Sequence, residues 1–112
     1  ITDKSLRFLC AELIREQLFL QLAEELPYAT EVRVEVFEES EERVLIHAVV
    51  LVERENQKAI LVGRNGKRIK RIRVASEREL ADIFPYPVQL DVRVKVHKKW
   101  RTKEGLLKRL IY

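Results

Sequence analysis

Apolar residues recur at helical spacing through Leu6, Leu9, Cys10, Leu13, Ile14, Leu18, Phe19, Leu20 and Leu22 and on to Leu26, behind the N-cap residues Thr2 and Asp3. Pro27 ends that pattern. From Glu31 to Phe37 the period drops to two, with Val32, Val34 and Val36 on one face and Glu31, Arg33 and Glu35 on the other, which predicts a half-buried strand. The acidic segment Glu38 to Glu42 reads as a turn. Arg43 to Glu53 reads as the return strand, and its centre, Val44 to Val52, is apolar at both parities except for His47. Such a strand is covered on both faces or lies centrally in its sheet.

Asn56 is placed to cap a short helix through Lys58, Ala59, Ile60, Leu61 and Val62, which Gly63 ends. After Gly66 a second helix runs from Lys67 to about Phe84, with a buried stripe of Ile69, Ile72, Leu80 and Ile83 and with Ala75 or Ser76 between. Pro85 and Pro87 lead into the most regular alternation in the chain, Val88 to His97. A short helix from Thr102 to Leu110 closes it. The predicted order is α-β-β-α-α-β-α, an α+β domain with one sheet of about three strands and helices on one face.

Length makes residues 1–112 a single domain with a real core. With 46% apolar residues, three Gly and three Pro, the chain is neither disordered nor fibrous. Cys10 has no second cysteine to pair with, no apolar run approaches the roughly 20 residues of a membrane span, and the first residues lack a signal-peptide layout. A cytoplasmic location is expected. The chain has no methionine and starts within a helix-start pattern, so a longer parent protein is expected.

The net charge of +4 changes meaning once it is resolved by position. Residues 1–57 carry six basic against thirteen acidic side chains, a net of −7, and residues 58–112 carry sixteen against five, a net of +11. That asymmetry points toward a polyanionic partner. It is densest in Gln57 to Arg73, QKAILVGRNGKRIKRIR, where Lys58, Arg64, Lys67, Arg68, Lys70, Arg71 and Arg73 occur without a carboxylate. Two glycines around a two-residue tip allow a sharp turn and close approach of a sugar-phosphate strand. The amides and positive dipole end of the following helix favour phosphate there, and Arg64, Lys67 and Arg68 add charge. Ile60, Leu61, Val62 and Ile69 would shape an apolar floor under the bases, whose edges would face strand backbone. The plainer alternative is a helical hairpin whose glycines serve only the turn.

The segment LVGRNGKRIKRI resembles the signature of the K-homology (KH) domain, and the element order matches its type II arrangement. The segments REQLFLQLAEELPYATEV, LVERENQKAILVGRNGKRIK, PVQLDVRVKVHKKW and LIY are similar to the C-terminal domain of the Era family of bacterial ribosome-assembly GTPases. Two positions depart from that pattern, Arg73 and Ile111, where relatives tend to have Gly. The resemblance implies a module that binds single-stranded RNA near the 3′ end of 16S ribosomal RNA through Ile60, Val62, Gly63, Arg64, Asn65, Gly66, Lys67, Arg68, Ile69, Lys70 and Arg71. It also implies action on the 30S subunit alongside an N-terminal GTPase domain holding GTP and Mg. Gly63 to Gly66 is too short for a P-loop and Lys67 precedes Arg68 rather than Ser or Thr, so no nucleotide hydrolysis, cofactor or catalytic residue is expected in this chain. A module of another RNA-binding or ribosomal protein, or a protein-docking domain with incidental RNA contact, is the alternative.

Other chemistry is weaker. His47 and His97 have no second ligand at metal spacing, and Cys10 lies in an apolar stripe without a neighbouring base. Glu77, Glu79 and Asp82 read as a solvated helix face, and Glu38 to Glu42 as a solvated hairpin tip. Arg93 and Lys95 project from the polar face of their strand and would offer charge to RNA if that face is open. Lys98, Lys99, Arg101 and Lys103 surround Trp100, which either packs the last helix or stacks a base. Peripheral contact of this basic end with the inner face of the cell membrane stays open.

Overall fold

The computed structural model describes residues 3–22 and 30–97. Three helices, α1 (Asp3–Leu22), α2 (Glu55–Val62) and α3 (Lys67–Ala81), lie with three strands, β1 (Glu31–Glu39), β2 (Val44–Val52) and β3 (Val88–Val96), in the order α1-β1-β2-α2-α3-β3. The sheet order is β1-β2-β3. β2 is therefore central, antiparallel to β1 and parallel to β3, which accounts for its apolar residues at both parities. The last predicted helix, with Trp100, its flanking basic residues, Pro27 and the segments LPY and LIY, lies outside the described residues.

The core lies between the sheet and the helices. Val44, Ile46, Ala48, Val50 and Val52 of β2 meet Cys10, Ile14, Leu18 and Leu22 of α1, Leu61 of α2, Ile72 and Leu80 of α3, and Leu90, Val92 and Val94 of β3. Burial pushes the Cys10 thiol up from its ordinary 9.0 to about 11. The thiol is inert packing, as its apolar stripe predicts.

Three sequence expectations need correction. Strand β1 does not keep one period: its register shifts between Val34 and Val36, so Val34 pairs with Ala48 but Val36 pairs with His47 and Phe37 with Ile46. The bulge sends Val36 to the far face and brings Phe37 into the core, 5.9 Å from the Phe84 ring. Arg7 of α1 donates to the carbonyls of Val34 and Glu35 at 3.2 and 3.5 Å, a satisfaction of bulge carbonyls that strand alternation cannot foretell. Second, α3 stops at Ala81, so Ile83 is exposed and Phe84 takes its place in the core. Third, Asn56 lies inside the first turn of α2, and it is Gln57 Oε1 that accepts from the Glu53 and Arg54 amides, both at 3.0 Å.

The turn between α2 and α3 depends on left-handed backbone. Gly63 has φ 76° and ψ 177°, Asn65 φ 56°, and Gly66 φ 71°. A Cβ on Gly63 would lie 2.6 Å from Arg68 Cβ, whereas one on Gly66 meets nothing within 4 Å. Gly63 is required both for its φ and for helix-on-helix approach, and Gly66 for its φ alone. At Asn65 a short polar side chain tolerates the same region.

Two outcomes follow from this packing. Gly63→Ala should lower the unfolding free energy measured in urea clearly more than Gly66→Ala, by about 2–4 against about 1–2 kcal/mol, and equal losses would contradict the Arg68 contact. Cys10 should resist thiol reagents near pH 8 until the chain unfolds. Its raised pKa makes its stabilising contribution complete below the ordinary value of 9.0 and lost as pH climbs to about 11, which alkaline melts would register.

Candidate nucleic-acid interface

Helix α2 has eight residues, too few to persist alone, and is held by Leu61, fully buried, with Ile60 and Val62 packed at the margin of the core. It is followed by a single 3-10 turn, Arg64–Gly66, closed by Gly63 N–H donating to Ala59 O at 3.0 Å and Gly66 N–H to Gly63 O at 3.2 Å. Lys67 N–H donates to Arg64 O. Of the α3 amides expected to face phosphate, that of Lys67 is used within the turn. Directed outward are the charge of Arg64 and Lys67, both exposed with Asn65 at the tip, and the positive end of the α3 dipole.

The thirteen residues expected at the site separate into five sets. Gly63, Arg64, Asn65, Gly66 and Lys67 form the tip. Ile60, Val62 and Ile69 are half-buried apolar side chains beneath it. Arg68 is not a mobile charge: it is half-buried and donates from Nη1 to the Ile60 carbonyl at 3.1 Å, securing the last turn of α2 across the Gly63 contact. Lys70 and Arg71 belong to a second surface, which Lys67 connects to the tip. With Lys67, Val74, Ala75 and Arg78 of α3 and Gln21 of α1 they line an open depression of about 520 Å³ on the outer side of the helices.

Arg93 and Lys95 are exposed, but the sheet separates them from the turn. They line a depression of about 160 Å³ with Glu35, Val36, His47 and Val49 on the face away from the core. There Arg93 pairs with Asp91 at 3.0 Å. A single strand lying on the 63–66 turn cannot meet them without passing around β3, because odd-numbered β3 side chains point opposite to the core-facing Leu90, Val92 and Val94.

Two carboxylates read as solvated are engaged. Glu79 accepts from Gln17 Nε2 at 2.6 Å, tying α3 to α1. Glu77 accepts from the backbone N–H of Leu90 at 2.9 Å and from Arg73 Nη1 at 3.5 Å. The Arg73/Glu77 spacing of four was visible in the sequence as a helix-surface pair. Nothing local disclosed that a strand amide would reach the same oxygen.

Among the described residues, the edge of β3 away from β2 pairs with no strand, and it borders this surface. Val44 N–H donates to Pro87 O at 2.8 Å and His97 N–H to Val52 O at 2.7 Å, so odd-numbered residues turn their backbone groups toward β2. Leu90, Val92 and Val94 turn theirs outward, beside α2 and α3. A basic turn, an apolar margin and a row of backbone donors and acceptors are thereby adjacent.

These features agree with known proteins. A family model described as KH domain matches residues 25–101. The chain is similar over its whole length to GTPase Era of Stenotrophomonas maltophilia strain K279a, at 47% identity, and of Xylella fastidiosa strain M12, at 46%, spanning 38% of each relative. The fold is similar to a crystal structure of Aquifex aeolicus Era bound to GDP.AlF4−, with a TM-score of 0.80 and 33% identity over 91% of this chain and 35% of that one. A structure of Era in complex with MgGDPNP and nucleotides 1506–1542 of 16S ribosomal RNA superposes with a TM-score of 0.81 at the same identity and coverage. The described elements repeat the predicted type II order, and the chain belongs to the KH domain family, in the form that Era GTPases carry.

Proposed function

We propose that this chain binds single-stranded RNA, with the sugar-phosphate backbone over Gly63–Gly66 and the bases directed across Ile60, Val62 and Ile69 toward the edge of β3 away from β2. The observation that carries the reading is the turn itself. Backbone of positive φ at residues 63, 65 and 66 turns the chain at two positions without side chains, Gly63 and Gly66, beside exposed Arg64 and Lys67 and at the positive end of a 15-residue helix. A phosphate chain can approach such a surface closely and be attracted to it. Hydrogen bonds from base edges to the Val92 and Val94 backbone would supply discrimination that charge alone cannot.

The RNA in question is the 3′ region of 16S ribosomal RNA, the ligand named in the complex of a fold neighbour. The parent protein is a GTPase acting on the 30S subunit, and its GTP and Mg belong to the part of the relatives that this chain does not span. The work of this module is binding without bond-making. Lys70, Arg71, Arg93 and Lys95, which lie off the turn, contribute long-range attraction rather than groove contacts. The alternative, a protein-docking module with incidental RNA contact, would leave exposed Arg64 and Lys67 beside the turn without a role.

The double variant Arg64→Asp and Asn65→Asp should lose binding to a 16S 3′-end oligonucleotide at least about a hundredfold while keeping the parent's circular dichroism, because both residues are exposed at the tip. Parental affinity in that variant would refute the turn as the binding site. With about four phosphates neutralised, the logarithm of affinity should fall against the logarithm of salt with a slope near about −3, and a salt-independent affinity measured by anisotropy would favour the docking alternative.

A further inference from the structure

The structure assigns to Glu77, held by Arg73, a specificity-determining role: this pair closes one end of the β3 edge and sets how many nucleotides the edge reads. The inference rests on the RNA-binding reading above. Of the backbone groups that β3 turns away from β2, the Leu90 N–H is already taken by Glu77 Oε2 at 2.9 Å. The same oxygen lies 3.5 Å from Arg73 Nη1, and both side chains are about one-third exposed, at 33% for Arg73 and 32% for Glu77. They border the surface that an RNA would use.

Helix α3 starts beside the turn at Lys67 and reaches Glu77 ten residues on, a distance of roughly 15 Å along its axis. The readable edge therefore has two ends. One is the phosphate-holding turn, and the other is the Glu77 carboxylate, with Val92 and Val94 between them. Successive outward amides are two residues apart, roughly 6.6 Å, the scale of one nucleotide step. A base arriving at the level of Leu90 finds an anionic acceptor where the strand would otherwise offer a donor. Base acceptors and phosphates are repelled from that position, and Arg73 offsets part of the charge and offers a cation to the last nucleotide admitted.

The test measures affinity of the 112-residue chain for a ladder of oligonucleotides from about three to about eight nucleotides, cut from the 16S 3′ end, by fluorescence anisotropy. The parent's affinity should stop rising at a definite length. In Glu77→Ala that plateau should move out by about one nucleotide, while Glu77→Gln, which keeps a carbonyl acceptor for the Leu90 N–H, should retain the parental length. An unchanged plateau in a Glu77→Ala chain with native circular dichroism overturns the assignment. A parent that binds no member of the ladder overturns the RNA reading itself, and this inference with it. Should Glu77→Ala fail to fold, amide spectra of the parent decide: on RNA addition the Val92 and Val94 amides should shift and Leu90 should not, and a Leu90 amide that moves with them overturns the role.

Discussion

Parallel pairing of β2 with β3 is the constraint from which the rest of the molecule follows. Two parallel neighbours cannot be joined by a tight turn, so the chain must leave the end of β2, cross over a face of the sheet and return to the start of β3. Here the crossover is made of two helices instead of one, and it needs a sharp reversal in its middle. The reversal falls where apolar packing has to stop, at Gly63, since Leu61 is in the core and the next anchored core residue is Ile72. The exposed turn is the place where the crossover stands clear of the sheet. The basic tip at that point uses backbone geometry that the topology already requires.

Arg68 makes the reversal stable. Its Cβ occupies the space that a side chain on Gly63 would take, and its guanidinium holds the Ile60 carbonyl at the exposed end of α2. A residue that composition assigns to ligand binding thus organises the turn, and the charge left exposed there is that of Arg64 and Lys67. The basic run as a whole is not one patch. Helical rotation of about 100° per residue distributes Lys67, Lys70 and Arg71 toward the outer side, and Arg73 toward the β3 edge, where Glu77 receives it.

Much of this could be read from residue order. The alternation in Val88–Val96 and the apolar centre of Val44–Val52 depend on two-residue periodicity and burial, which act locally and leave a pattern. The Gly63–Gly66 spacing with its flanking charge was legible for the same reason: left-handed backbone selects glycine whatever surrounds it. The bulge in β1 was not legible, because Val34, Val36 and Phe37 are all acceptable strand residues and only the Arg7 contact to the Val34 and Glu35 carbonyls distinguishes the registers. Nor was the engagement of Glu77 and Glu79, whose partners are distant in the chain.

Sequence by itself therefore determined the class of fold, the turn between α2 and α3 and the concentration of basic charge around it, since periodicity, glycine φ and charge are properties of neighbouring residues. Tertiary structure alone decided which cations share a surface and which edge of β3 no described strand pairs. Lys70 and Arg71 belong to a second surface, Arg93 and Lys95 lie across the sheet, and the Leu90 amide is closed by a carboxylate from α3. The reason is physical. Which side of a strand or helix a residue faces can be counted along the chain, but what faces it is settled only when separate elements pack against one another.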